Sequence, residues 1–236
     1  VRGRIERGFR WRFRELLALV RPRRLDFGVD LLVRRACARS AEREMPIARA
    51  FAEVYEFTRV RVERRLRVTG ACSLVRPTWD RFKDAVPRFL CDLSLAGLAR
   101  WLRAAGYEAA WSKAAAPEFF GRDACLDLVL LTSDWRVLER RAAHDEGRTV
   151  LWLPSTLTPR ELLPMVVRDL GLVPREPRCM ACGGVLDPVA KADVAERIPP
   201  RTALWLDEYT LCRACHHLYW RGTHWDRIAK TLAAIA

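Results

Sequence analysis

Arg88-Phe89-Leu90-Cys91-Asp92 is a short apolar run that ends in an acid. A helical pattern follows: Leu95, Leu98, Ala99 and Leu102 fall on one face, Arg100 and Arg103 on another. Gly106 is placed to stop that helix, because a helix C-terminus favours a residue free to turn left-handed. Tyr107 to Trp111 reads as a second strand. Asp127-Leu128-Val129-Leu130-Leu131-Thr132-Ser133-Asp134 reads as a buried strand running into a polar turn. Trp135 to Ala143 is helical in pattern, and Thr149-Val150-Leu151-Trp152-Leu153 is a further strand stopped by Pro154. Thr158, Pro159 and Glu161 then mark a helix start, with an N-cap, a proline at the first position and a capping-box glutamate. Strands alternating with helices at this spacing predict an α/β fold, a parallel sheet with crossover helices.

Beyond residue 174 the pattern changes. Cys179-Met180-Ala181-Cys182 and, after a 29-residue spacer, Cys212-Arg213-Ala214-Cys215 are two matched CxxC pairs. Each pair lets two thiolates grip one ion from a single turn, and two such knuckles complete a tetrahedral zinc site. Residues 175–236 are therefore expected to form a small four-cysteine zinc ribbon with a closing helix from Trp225. His216 and His217 follow the last cysteine, but four well-spaced thiolates leave no need for them as ligands. A site with all four positions filled is structural and has no opening for substrate.

Ahead of the sheet, residues 1–86 hold 22 Lys and Arg against 11 Asp and Glu, and the rest of the chain 20 against 18. The net charge of +13 therefore sits mostly in the first third. A basic segment attracts polyanions such as RNA. Arginine far outnumbers lysine, so the excess also fits a compositional bias carried on solvated faces. Phe9-Arg10-Trp11-Arg12-Phe13 alternates aromatic and basic, as a half-buried strand does, and Val60-Arg61-Val62 and Leu66-Arg67-Val68 alternate too. Asp30 to Val54 has helical spacing. The region is expected to be a small α+β unit or an appendage, with Arg76-Pro77-Thr78 and Val86-Pro87 as punctuation before the sheet.

No run approaches the ~20 apolar residues of a membrane span. No cleavable signal pattern is visible at the N-terminus. Cys37, Cys72, Cys91 and Cys125 are scattered, as buried thiols are, so a reducing compartment and a cytoplasmic protein without membrane attachment are expected.

Chemistry is expected where parallel strands end. Asp92 and Asp134 both follow strands at that edge. Paired carboxylates repel unless a cation lies between them, so they suggest a Mg²⁺ or Mn²⁺ site. Each aspartate alone reads equally as the cap of the next helix. Glu118, in Pro117-Glu118-Phe119-Phe120, is the candidate third acid, with Asp123 and Asp127 as rivals. Arg100 and Arg103, one turn apart beside this edge, are candidates for holding phosphates, or else a solvated helix face. Trp101 reads as core. Trp220 and Trp225 read as the ribbon's own core rather than as base-stacking surfaces, and His224 lies between them.

Phe89-Leu90-Cys91-Asp92 with Leu98-Ala99-Arg100-Trp101-Leu102-Arg103-Ala104-Ala105-Gly106-Tyr107 resembles the opening of the Mut-seven C-terminal RNase family. Leu131-Thr132-Ser133-Asp134 with Val137-Leu138, the two cysteine pairs, and Tyr219-Trp220-Arg221-Gly222-Thr223-His224-Trp225 resemble it as well, in family order over residues 88–230. The resemblance implies a PIN-like nuclease domain over 87–174 followed by the ribbon. It implies metal-dependent hydrolysis of RNA by clustered acids, with Asp92 and Asp134 at matching positions and Glu118 at the middle one. The family's acidic stretch before the second helix is here Ser112-Lys113-Ala114-Ala115-Ala116-Pro117, with no acid before Glu118. Relatives often carry a ubiquitin-like domain in front, and a diverged one is a possible reading of residues 1–86. The expectation is a ribonuclease with catalytic Mg²⁺ or Mn²⁺ and structural zinc. Its rival is a non-catalytic RNA-binding protein whose acidic site has decayed.

Overall fold

The computed structural model describes residues 2–69, 82, 86–121, 127–140 and 148–234. The apolar runs form four parallel strands: β1 (Arg88–Asp92), β2 (Ala109–Ser112), β3 (Leu128–Thr132) and β4 (Thr149–Trp152), in the order β2-β1-β3-β4. All five residues of β3 are buried, as expected of a central strand covered on both faces. Alternation along the strands decides which side chain meets which layer. Phe89, Cys91, Val129 and Leu131 share one core with α4 (Ala96–Ala104) and α6 (Pro159–Leu170). Leu90, Leu128 and Leu130 face the other way, onto α5 (Ala115–Phe120) through Ala115, Ala116 and Phe119. Gly106, at φ 94°, ends α4 as its position in the sequence predicts. Thr158 and Glu161 close a capping box at the start of α6.

The N-terminal region differs from its expectation. It forms three helices, α1 (Arg2–Ala18), α2 (Leu25–Glu42) and α3 (Ile47–Thr69), and no strand among its described residues. Phe9–Phe13 lies in the middle of α1. Its apolar stripe is Ile5, Phe9, Phe13 and Leu16, a spacing of three and four that buries one helical face. In α3, Val62 and Leu66 are buried while Val60 and Val68 are exposed, the i,i+4 pattern of a helix rather than the alternation of a strand. A ubiquitin-like domain needs a sheet, and residues 2–69 supply none. Arg76–Thr78, Cys72, Asp123 and Cys125 lie outside the described residues.

The helices share the core of the sheet. Phe9 stacks on Phe51 at 5.1 Å and meets the Trp152 indole edge-on at 5.4 Å. Gly8 brings the α1 backbone directly onto the Trp152 ring, where any Cβ would overlap it. Arg12 of α1 pairs with Asp169 of α6 in full burial and also donates to the Trp152 carbonyl at 3.3 Å.

The C-terminal unit is a separate antiparallel sheet of β5 (Leu186–Val189), β6 (Tyr209–Cys212) and β7 (Leu218–Trp220), followed by α8 (Thr223–Ala233). A one-turn helix, α7 (Pro200–Ala203), precedes β6. Val194, Ile198, Tyr209 and Leu218 form its small core, with Trp220 packed against them as the sequence suggests. Among the described residues no helix is long and apolar enough to cross a membrane.

Candidate metal centre and acidic edge

The cysteine knuckles are built alike. In each, the residue after the second cysteine turns left-handed: Gly183 at φ 87° and His216 at φ 56°. Each knuckle is closed by a backbone bond back to its first cysteine, Gly183 N–H to the Cys179 carbonyl at 2.7 Å and His216 N–H to the Cys212 carbonyl at 2.9 Å. The four sulfurs of Cys179, Cys182, Cys212 and Cys215 lie within 4.8 Å of one another. Cys179 to Cys215 is 3.6 Å and Cys182 to Cys212 is 3.4 Å. These separations are far too long for a disulfide and close to the ~3.8 Å edge of a tetrahedron with metal–sulfur bonds of about 2.3 Å. Burial works against charge on Cys179, yet the Tyr219 hydroxyl at 3.2 Å and neighbouring N–H groups hold its thiol down at about 6. Cys215 receives a backbone N–H, but the adjoining sulfurs push it up to about 12. Four thiolates cannot coexist here without a cation, so the donor set fits a metal ion such as zinc. His216 and His217 are not part of the ligand group.

The acidic edge is assembled by the parallel register. Asp92 pairs with Ser112 across β1 and β2, while Cys91 pairs with Leu131 across β1 and β3. The carboxyl ends of all three strands therefore lie side by side. Asp92 is half-buried, and its Oδ2 accepts from the Thr132 hydroxyl at 2.7 Å and from Ser133 N–H at 2.8 Å. The Thr132 hydroxyl in turn accepts from Asp134 N–H at 3.0 Å, so one buried threonine ties the turn that carries Asp134 to Asp92 at the end of β1. Asp134 caps the 3₁₀ turn Trp135–Glu139 through Oδ1, which accepts from Arg136 N–H at 3.1 Å. Glu118 is exposed, and its Oε1 accepts from the Ser112 hydroxyl. Asp92 Oδ1, Asp134 Oδ2 and Glu118 Oε2 carry no hydrogen bond from the described residues. Among those residues, the cysteines form the only group of three or more donors within 4.8 Å, and the three acids do not close into such a cluster.

Asp127 is not at this edge. It pairs with Arg88 at 2.8 Å, where β1 and β3 begin. Asp123 lies outside the described residues. The expectation for Arg103 also changes. Its side chain is buried, and its guanidinium donates to the carbonyls of Ala109 at 2.7 Å, Ala181 at 2.8 Å and Met180 at 3.1 Å. It ties α4 to the first knuckle and has no face left for a phosphate. Arg100 is exposed beside Trp111, 5.7 Å from its ring centre. Trp101 packs against the core as expected. Trp225 does not join the ribbon core and instead lines a groove of about 580 Å³ with Arg100, Trp111 and Trp220.

Sequence reasoning missed Thr132 and Ser133, whose hydroxyl and amide orient Asp92. The signal was present as a Thr-Ser pair between an apolar strand and an acid, a pattern that favours side-chain-to-backbone bonds. It also missed Arg136, in the same turn as Asp134, and Arg4 of the distant α1, which line one cavity with Asp134.

No curated protein and no solved structure matches the chain. The family model described as Mut7-C RNAse domain matches residues 87–232, which takes in the whole parallel sheet, the acidic edge and the four cysteines. That span exceeds half of the chain, and it follows that this protein belongs to the Mut7-C RNAse family.

Proposed function

We propose that the protein is a metal-dependent ribonuclease whose reaction takes place at the edge formed by Asp92, Asp134 and Glu118. The supporting observation is that Asp92 and Asp134 lie at the carboxyl ends of adjacent parallel strands, are tied to the same Thr132 hydroxyl, and each keep one carboxylate oxygen unengaged among the described residues. Hard divalent cations take oxygen donors, and Mg²⁺ is commonly held by one or two carboxylates, its remaining positions going to water and phosphate. The lack of a closed three-acid cluster is therefore compatible with such an ion. Asp92 and Asp134 would hold Mg²⁺ or Mn²⁺, with Glu118 beside them. When bound, the ion supplies water activation and charge neutralisation at the phosphodiester.

The chain's own residues do the positioning. Thr132 and Ser133 N–H aim Asp92, Arg136 N–H aims Asp134, and Ser112, the register partner of Asp92, holds Glu118. Arg100, exposed on α4, is available to a substrate phosphate. The four cysteines hold zinc, which fixes the ribbon against α4. The second reading, an RNA-binding protein without catalysis, is favoured by one feature: residues 113–117 contain no acid, and Glu118 stands apart in a bond to Ser112.

Labelled single-stranded RNA incubated with Mn²⁺ or Mg²⁺ separates the two. Cleavage is expected from the native chain and a loss of at least 100-fold from Asp92→Asn/Asp134→Asn. Equal cleavage by both proteins would remove the acids from the reaction, and binding without cleavage by the native chain would establish the second reading.

A further inference from the structure

A cavity of about 370 Å³ opens beside Asp134. Its walls come from three places: Ser133 to Arg136 after β3, Pro154 to Thr156 after β4, and Arg4 and Ile5 of α1. The cavity is polar in an unbalanced way. Arg4, Arg136, Ser155 and Thr156 bring donors, all four are exposed, and none has a side-chain hydrogen bond or ion pair among the described residues. The one acid in the wall is Asp134, whose Oδ1 is engaged by the Arg136 backbone, and among the described residues no guanidinium lies within ion-pair distance of it. The four donor side chains are thus left without partners among the described residues, with Asp134 the one acid beside them.

α1 is held rigidly over this spot. Gly8 sits on Trp152, Ile5 is buried, and Arg7 stacks on the Trp135 ring at 4.7 Å, immediately beside Asp134 and Arg136. Trp152 in turn donates to the Ser133 carbonyl at 3.1 Å, which fixes the floor of the cavity to the same loop that carries Asp134. Arg4 thus reaches the acidic edge from a segment that the family match does not include.

We propose that Arg4 and Arg136 form a phosphate clamp. It holds the backbone of single-stranded RNA on the β4 side of the acidic edge, next to the phosphate positioned for cleavage. The clamp rests on the reading that RNA is the ligand, and it assigns the N-terminal helices a part in binding. Two guanidiniums and two hydroxyls lining one cavity suit the acceptor-rich phosphodiester group. Such contacts set the register of the strand without reading its sequence.

The test measures binding, so cleavage does not enter it. A fluorescein-labelled 12-nucleotide RNA is titrated with each protein by anisotropy, without added Mg²⁺ or Mn²⁺, at several salt concentrations. Arg4→Ala and Arg136→Ala are each expected to weaken binding roughly tenfold and to flatten the salt dependence by about 0.7 per lost phosphate contact. Arg4→Lys keeps the charge and is expected to retain the salt slope. The control is Arg23→Ala, an exposed arginine past the far end of α1, roughly 25 Å from Arg4 by helix length. It is expected to change neither quantity. Equal losses in Arg4→Ala and Arg23→Ala would reduce the effect to net charge and overturn the clamp, as would unchanged binding in Arg4→Ala or no RNA binding by the native chain. A native chain that binds RNA but cleaves none would refute the nuclease reading and leave the clamp to be decided by these slopes.

Discussion

Arg12 is the residue on which the N-terminal helices and the sheet domain depend most directly. Its guanidinium lies in full burial between Asp169 of α6, the Trp152 carbonyl and the Tyr55 ring, 4.2 Å away. Burial and the charge of Asp169 push the Tyr55 hydroxyl up to about 12, a mark of how little water reaches this point. Removing one partner of a buried ion pair leaves the other charged in a dry environment, which costs about 3–5 kcal/mol. Replacing both by apolar side chains of similar volume costs far less, because no charge is stranded. Asp169→Ala is therefore expected to lower stability by about 3–5 kcal/mol in urea unfolding, and Arg12→Met/Asp169→Leu by less than half of that. A double variant as unstable as the single one would mean that the pair contributes directional hydrogen bonding that apolar packing cannot replace. The same logic at Asp92 has the opposite purpose. There the Thr132 hydroxyl and Ser133 N–H bond to a carboxylate that stays half-exposed, as the proposed cation site requires.

At the scale of elements, α1 shows how a short window misleads. Phe9-Arg10-Trp11-Arg12-Phe13 satisfies both an alternating and an i,i+4 pattern, because positions 9 and 13 belong to each. Only the longer window, with Ile5 and Leu16, separates a helix from a strand. α4, β4 and α6 were readable because each carried its own stop or start signal: Gly106, Pro154, and the Thr158 to Glu161 capping box. The helix expected from Trp135 to Ala143 is instead a 3₁₀ turn, Trp135–Glu139, which ends at an extended Arg140. Gly8 was not readable at all, since its reason lies in the distant Trp152. Glycine within a helix ordinarily costs about 1 kcal/mol relative to alanine, so Gly8→Ala in an isolated helix would stabilise. Here the added methyl falls into the Trp152 indole, and overpacking of this kind costs about 1–3 kcal/mol. Gly8→Ala is thus expected to destabilise by about 1–2 kcal/mol, and Trp152→Phe in the same chain to recover part of the loss by shrinking the ring. A rise in melting temperature with Gly8→Ala would show that α1 can lift off the sheet at little cost.

For the whole molecule, the cysteines announced a metal-binding ribbon, but how it is joined to the sheet domain was hidden, because arginine on a helix face reads as solvated. Arg103 is instead the joint. It donates to two carbonyls inside the first knuckle, and Gly183 lies against it so closely that a Cβ there would meet Nε at 3.2 Å. The Arg178 N–H adds a second tie, donating to the Arg103 carbonyl at 2.9 Å. The Arg103 tie connects the first cysteine knuckle to α4, and α4 begins four residues after Asp92. Removal of the ion should therefore be felt beyond the ribbon. The native chain is expected to carry about one zinc per molecule by elemental analysis, and Cys179→Ser/Cys212→Ser to carry none. A strong chelator should unfold the ribbon, since structural zinc contributes folding free energy directly. It should also lower the melting temperature of the sheet domain, because α4 then loses the packing of the first knuckle and two of the three carbonyl acceptors of Arg103. Arg103→Met removes these bonds from the start. In this variant, metal loss is expected to leave the melting of the sheet domain unchanged, with the ribbon melting as a separate transition in calorimetry. If chelation shifts the sheet domain equally in the native chain and in Arg103→Met, the coupling runs through another contact and Arg103 is not the joint.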